Sequence, residues 1–356
     1  MKAFINDWFA KAAQPRPIPT RSVDIIDRVV LGGVEQVIQI RGDDLGNPVL
    51  LFLHGGPGLP HMPFAHLNAS LEAHFTVVQW DQRGSGKSYC SNLRAKDLHL
   101  ERFIADAREL IEILCARCGV KTVVLVGHSW GSIVGAFVAA RFPGLVAAYV
   151  GIGQVAHLPS AERHRYEFAR AAAKRAECRY ALRVLDRVGP PPYASPDASE
   201  ELEALVLRLS ESFYRPPSLA SFIKLAAFSR AYSPLDLLRI PFGVRLCTRL
   251  LWTQIFHQVD LFSQLPRIDV PVFFLVGRHD TVSGHAVAER YFNALDAPLG
   301  KRFVTFNASG HWPHLEEPDR FRGVLNDEVL PLLPASLPIE RTAAFSTNAA
   351  SRICNV

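Results

Sequence analysis

A chain of 356 residues is long enough for one large α/β domain carrying an insertion, or for two domains. Its 49% apolar and 21% charged residues are ordinary globular composition, and a net charge of +5 without a Lys/Arg block gives no reason to expect a nucleic-acid partner. No run of about eighteen apolar residues occurs, so a membrane-spanning helix is not expected.

Residues 1–10 are apolar but interrupted by Asp7, which reads as a short amphipathic helix rather than a signal peptide and makes a cytoplasmic location the expectation. Residues 24–30 and 34–40, separated by Gly32-Gly33, read as an opening hairpin. Residues 48–54 and 75–81 are almost wholly apolar and end in Gly-rich turns, the pattern of strands buried on both faces of a parallel sheet. Leu100, Phe103, Ile104, Ala107, Leu110, Ile111 and Leu114 recur at helical spacing and predict an amphipathic helix over 98–117. Further strands are expected at 122–126 and 146–152. The strand pattern then stops, and 156–262 is helical, rich in Arg and aromatics, and broken at Gly189–Tyr193 and Pro216-Pro217. Strands resume at 271–277 and 302–307, with a helix over 282–295 between them. A repeating β-α order with a helical interruption argues for a mainly parallel sheet carrying a cap. The expected division is a core in two parts (1–155 and 263–333), a helical cap at 156–262, and a poorly ordered tail at 334–356.

Six cysteines (Cys90, Cys115, Cys118, Cys178, Cys247 and Cys354) lack disulfide-framework spacing, and nothing completes a zinc site around Cys115-x-x-Cys118. Free thiols in a reducing compartment and no metal are therefore expected.

Chemistry concentrates at strand ends. Gly127-His128-Ser129-Trp130-Gly131 joins the strand at 122–126 to a helix-like stretch, a G-x-S-x-G whose tight turn would lift the Ser129 hydroxyl out of the sheet. A serine hydroxyl needs a base, and the base needs an orienting group. Asp280 follows the strand at 271–277 and His311 follows the strand at 302–307, in the chain order Ser, Asp, His. Ser129 is the candidate nucleophile, His311 the general base and then acid, and Asp280 its orienter. Asp280 is alternatively a helix N-cap, and His314 is a rival base. His54-Gly55-Gly56-Pro57-Gly58 offers backbone amides for an oxyanion, so Gly56 is paired with Trp130 as the candidate oxyanion hole. Two motifs mislead. Gly86-Lys87-Ser88 lacks the P-loop glycine, Asp81 standing in its place, and Gly151-Ile152-Gly153 opens into the cap rather than into a βαβ unit.

Together, HGGPG at 54–58, DQRGSGKS at 81–88, GHSWGS at 127–132, GRHD at 277–280 and SGH at 309–311 resemble the α/β-hydrolase family, and within it the proline iminopeptidase-like serine hydrolases. The resemblance spans about 25–155 and 265–333. It implies the α/β-hydrolase fold: a mostly parallel central sheet flanked by helices, with a helical cap inserted after strand 6. It also implies a cofactor-free hydrolase acting on a small molecule or short peptide, with release of an N-terminal proline as the narrowest version. The cap departs from that pattern. The Glu-Asn-His-Tyr-Phe-like stretch whose glutamates grip a substrate amine is absent, the nearest region reading Trp252–Asp260. Residues 156–262 carry 15 Lys/Arg against 11 Asp/Glu, a surplus of four positive charges. The cap aromatics Tyr166, Phe228, Trp252 and Phe256 are candidates to line an apolar pocket, or else form the cap's own core.

Three readings follow. The first is a serine hydrolase forming an acyl-enzyme on an ester, lactone or amide. The others are an acyl-transfer or cyclisation enzyme, and a ligand-binding protein that retains the fold without hydrolysis.

Overall fold

The computed structural model describes residues 22–193, 196–209, 226 and 229–333; the expected N-terminal helix and C-terminal tail lie outside them. Eight strands form one sheet in the order β1-β2-β4-β3-β5-β6-β7-β8. β1 (Val23–Leu31) and β2 (Val34–Gly42) make the opening hairpin, its turn formed by Gly32 and Gly33 at φ +51° and +74°. β2 pairs antiparallel with β4 (Thr76–Asp81). From β4 onward the sheet is parallel, through β3 (Val49–Leu53), β5 (Val123–His128), β6 (Val146–Ile152), β7 (Val272–Gly277) and β8 (Lys301–Phe306).

Burial explains the composition of these strands. β3, β4, β5 and β7 are buried along their whole length, so both faces must be apolar, whereas β1 and the last edge strand β8 expose part of their length. One face carries Leu51, Leu53, Val78 and Leu125 against α1 (Leu100–Cys118) and α2 (Trp130–Arg141). The other carries Leu50, Phe52, Val124 and Val126, packed with Phe321, Val324 and Leu325. α1 buries the seven-residue stripe read from the sequence, Leu100 only partly, and stops at Gly119, whose φ of 66° is the left-handed conformation of a C-cap glycine.

The cap follows β6. α3 (Leu158–Arg175), α4 (Arg179–Val188), α5 (Pro196–Arg208) and α6 (Pro234–Gln258) precede β7. The chain leaves and returns side by side: His157 bridges Asp260, and the Leu261 amide donates to the Ala156 carbonyl at 2.9 Å. α6 opens with a capping box, in which the Ser233 hydroxyl accepts from the Asp236 amide and Asp236 accepts from the Ser233 amide. Among the described residues no helix is long and apolar enough to cross a membrane.

One element had no signal in the sequence reading. A 3-10 helix at Met62–Ala73, led by Pro63, fills the segment between β3 and β4. The helix expected from 282 begins only at His285, because residues 280–283 are drawn into a turn around the Asp280 carboxylate.

Candidate active site

Ser129 stands between β5 and α2 with φ +53° and ψ −116°, a strained backbone for a residue with a side chain. Its neighbours are glycines for steric reasons. A methyl group on Gly127 would overlap the Gly131 carbonyl, and one on Gly131 would overlap the Leu53 carbonyl of β3. The elbow is therefore pressed against the sheet, and the Ser129 amide donates to the Ile152 carbonyl at 3.0 Å. Below it, the Ser132 hydroxyl donates to the Ser129 carbonyl at 2.6 Å and accepts from the Val155 amide at 3.0 Å.

The loops after β7 and β8 are equally close. A methyl group on Gly277 would overlap the Gly310 carbonyl, and the His279 amide donates to the Ser309 carbonyl at 3.0 Å. This brings Asp280 and His311 together, with His311 Nδ1 3.0 Å from Asp280 Oδ2 and both residues buried. The carboxylate also accepts from the Val282 and Ser283 amides at 2.9 and 3.0 Å, so it shapes the turn as well as holding the imidazole. Burial alone would push the Asp280 carboxyl up; the charge of His311 and hydrogen bonds from His311 and Ser283 outweigh it and hold the group at about 2. Gly153, at the end of β6, leaves room for the imidazole: a methyl there would lie 2.9 Å from His311 Cε1 and Nδ1. That is the local role of the glycine in the misleading Gly151-Ile152-Gly153 motif.

His311 also lies beside the elbow. His128 Nε2 donates to the His311 carbonyl at 3.0 Å, and the two rings are 4.9 Å apart. Sequence reasoning missed what pins this loop. Glu316 accepts from the amides of Gly310 (2.8 Å) and Trp312 (3.2 Å), and Glu317 accepts from the Ala308 amide (2.9 Å) and the Ser309 hydroxyl (2.7 Å). The Glu-Glu-Pro following His314 was the available signal. Among the described residues, no carboxylate holds His314 as Asp280 holds His311. His314 is buried among His61, His128, Trp312 and Phe321, and burial, with the charge of His311, lowers it to about 3. Among the described residues, His61, His128 and His314 form one group able to hold a metal ion.

The HGGPG segment follows β3 and abuts the elbow, since a methyl on Gly55 would sit 3.1 Å from Ser129 Cβ. Gly56 has φ +112°, which a side chain would strain. Trp130 is the first residue of α2, so its amide belongs to the turn that has no intrahelical acceptor. Trp130 therefore adjoins Ser129 in the chain, and the segment that carries Gly56 abuts the elbow through Gly55. The Trp130 indole is turned away, donating to Gln82 Oε1 at 3.1 Å. His54 is structural: Nδ1 faces the Gly55 carbonyl at 2.9 Å, Nε2 accepts from the Gln82 amide at 3.1 Å, and burial lowers it to about 4.

DQRGSGKS ties the core to the cap. Arg83 is buried and forms a two-pronged ion pair with Asp106 of α1, which Gln36 and Arg102 also contact. Lys87 Nζ pairs with Asp236 at the start of α6 at 2.7 Å. The Tyr232 hydroxyl donates to Asp81, and Gly86 is a glycine because a methyl there would overlap both of those groups. Burial raises the Asp81 carboxyl to about 7 against the pull of Tyr232 and Lys87.

Within the cap, Tyr166, Trp252 and Phe256 pack with Ala169, Leu185 and Leu202; Trp252 and Phe256 stack at 4.7 Å, and the Tyr166 hydroxyl donates to the Leu185 carbonyl at 3.2 Å. All three therefore belong to the cap's own apolar cluster. Phe228 lies outside the described residues. A polar cluster the sequence did not announce sits beside them. Buried Glu162 pairs with buried Arg165 at 3.3 Å and accepts from the Ser199 hydroxyl at 2.9 Å. Arg165 donates across to the Val282 carbonyl at 3.4 Å, next to the Asp280 turn. Glu162 Oε2, Arg165 Nε, Tyr193 Oη and Trp252 Nε1 are buried with no hydrogen-bond partner among the described residues.

Comparison with known proteins agrees with this architecture. A family model described as the alpha/beta hydrolase fold matches residues 48–318. A probable aminopeptidase of Bacillus subtilis is 31% identical over 86% of this chain and 96% of its own length. A proline iminopeptidase of Clostridioides difficile is 30% identical over 83% of this chain and 94% of its own. Among solved structures, a proline iminopeptidase-related protein from Thermus thermophilus superposes with a TM-score of 0.61 at 22% identity, over 87% of this chain and all of that one.

Proposed function

The chain belongs to the α/β-hydrolase family, and from that premise we propose that it is a serine hydrolase of the aminopeptidase type, cleaving a small amide or ester through an acyl-enzyme at Ser129. The observation that carries this reading is the buried Asp280–His311 pair at 3.0 Å, on a loop bonded to the elbow that holds Ser129 in a strained turn. In the proposed reaction His311 takes the Ser129 proton on Nε2 as Oγ attacks the substrate carbonyl, while Asp280 holds the proton on Nδ1 and stabilises the imidazolium. The oxyanion accepts from the Gly56 and Trp130 amides. Collapse of this intermediate breaks the bond to the amine or alcohol, which leaves with the proton from His311. Water then enters by the same steps and releases the acid.

The aminopeptidase version has two supports. Relatives over most of the chain carry the names aminopeptidase and proline iminopeptidase. The cap also supplies a carboxylate of its own: Glu162 Oε2 is buried and unpartnered among the described residues, despite the cap's surplus of positive charge. Burial raises the Glu162 carboxyl, so an arriving ammonium group would stabilise its ionised form. We assign Glu162 the substrate amine.

Steady-state hydrolysis of a proline arylamide beside short p-nitrophenyl esters tests the substrate class. Turnover of both, abolished in Ser129→Ala, supports the proposal; ester turnover alone removes the aminopeptidase version. A folded protein that neither turns over substrate nor reacts at Ser129 with a fluorophosphonate probe removes the serine-hydrolase mechanism.

A further inference from the structure

Behind the serine lies an arrangement that the hydrolytic steps do not use. His61 comes from the loop after HGGPG, His128 from the elbow, and His314 from the loop that carries His311. All three are buried, at 5%, 0% and 2% exposure. Each keeps a ring nitrogen with no hydrogen-bond partner among the described residues: His61 Nε2, His128 Nδ1 and His314 Nδ1. One potential ligand atom from each lies within 4.8 Å of the others. Three buried imidazoles this close together, each with an unpartnered nitrogen, are costly unless something polar or cationic satisfies them.

We propose that His61, His128 and His314 form a binding site for a divalent transition-metal ion, zinc being the best match, which fastens the three loops of the active site to one another. The ring spacing fits. The centroids are 5.1 Å apart for His61–His128, 5.2 Å for His61–His314 and 4.9 Å for His128–His314. Three imidazoles directed at a tetrahedral ion with metal–nitrogen bonds of about 2.0–2.1 Å place their ring centres about 5 Å apart. The ligand type fits as well, since three neutral imidazoles and no thiolate or carboxylate suit zinc, copper or nickel rather than calcium or magnesium. One ligand is already oriented: His128 Nε2 donates its proton to the His311 carbonyl, which fixes the tautomer and leaves the lone pair on Nδ1. Trp312 packs 4.3 Å from the His128 ring and shields the group from solvent.

The ion has a positioning role and touches no reacting atom. His128 immediately precedes Ser129, and His314 is three residues past His311, so an ion held by both fixes the nucleophile's turn against the base's loop. This inference stands apart from the assigned chemistry, and its test reads metal rather than turnover. The full-length protein is treated with chelator, exchanged into metal-free buffer and titrated with Co²⁺ and Zn²⁺. The expected result is one Co²⁺ per chain with the intense visible absorption of a tetrahedral nitrogen site, displaced by Zn²⁺, and a rise in Tm on zinc addition. His61→Gln and His314→Gln should each weaken binding at least about 100-fold, the scale of losing one of three ligands, with folding followed by circular dichroism. A wild-type protein that stays folded and binds neither ion would overturn the site, and so would stoichiometric binding that survives in a folded His314→Gln variant.

Discussion

The sheet edge that carries Ser129, Asp280 and His311 and the interior of the cap are built on opposite terms. At the edge, backbone shape is forced by neighbouring strands: Gly127, Gly131 and Gly277 leave no room for a methyl group, and the Asp280 carboxylate is satisfied by two amides, a hydroxyl and an imidazole. In the cap, Trp252 and Phe256 sit in an apolar cluster, yet Glu162, Arg165, Tyr193 and Trp252 each keep a buried polar atom without a partner among the described residues. A finished polar network rigidifies, while an unfinished one is costly until a ligand completes it. The difference fits the proposed division of tasks, with bond making at the sheet edge and substrate choice beneath the cap.

Substitutions separate those tasks by size of effect. Ser129→Ala should lower kcat on every substrate by about 10⁴–10⁶-fold with little change in KM, because the nucleophile works only with its partners. Asp280→Asn should cost about 10⁴-fold in kcat by favouring the wrong imidazole tautomer; equal losses on arylamide and ester would place that effect at the sheet edge. Glu162→Gln is expected to behave otherwise. Losing a charge-assisted contact of about 1.5–3 kcal/mol should lower kcat/KM for a proline arylamide by about 10–100-fold while leaving p-nitrophenyl acetate almost unaffected. Parallel losses on both substrates would dissolve the distinction between the regions.

The smallest effect belongs to the junction. Asp81 has a folded pKa raised to about 7 against an ordinary 3.8. A raised carboxyl contributes stability that is fully present below the unfolded value and is lost as pH rises toward the folded one. Asp81→Asn keeps an acceptor for Tyr232 and cannot ionise. The difference in Tm between wild type and variant should therefore shift in the variant's favour from pH 4 to pH 7 and level off above. A flat difference would show that the carboxyl ionises normally.

What the sequence disclosed follows the same division. The positions of Ser129, Asp280 and His311 were legible because each sits in a short pattern just past a strand, and strand patterns are local. Tyr232 and Asp81 were not, since they meet from 151 residues apart with no periodicity linking them. Glu162 and Arg165 belong to no motif, and their setting depends on α5 arriving to place Ser199 beside Glu162. His61, His128 and His314 have no shared spacing; only the stacking of three loops at one sheet edge makes them neighbours. The cap aromatics show the converse, because the helical character of their region was plain but could not say whether they faced a substrate or one another.

The stalk at His157 and Asp260 has a consequence of another kind. Because the helical insertion departs and rejoins at one paired point, its length can change without re-registering any strand. Doubling a flexible connection costs only about 0.6 kcal/mol in closure entropy. Residues can therefore be gained or lost in the outer cap helices while the sheet, and the contacts that Asp81 and Lys87 make with the start of α6, stay as they are.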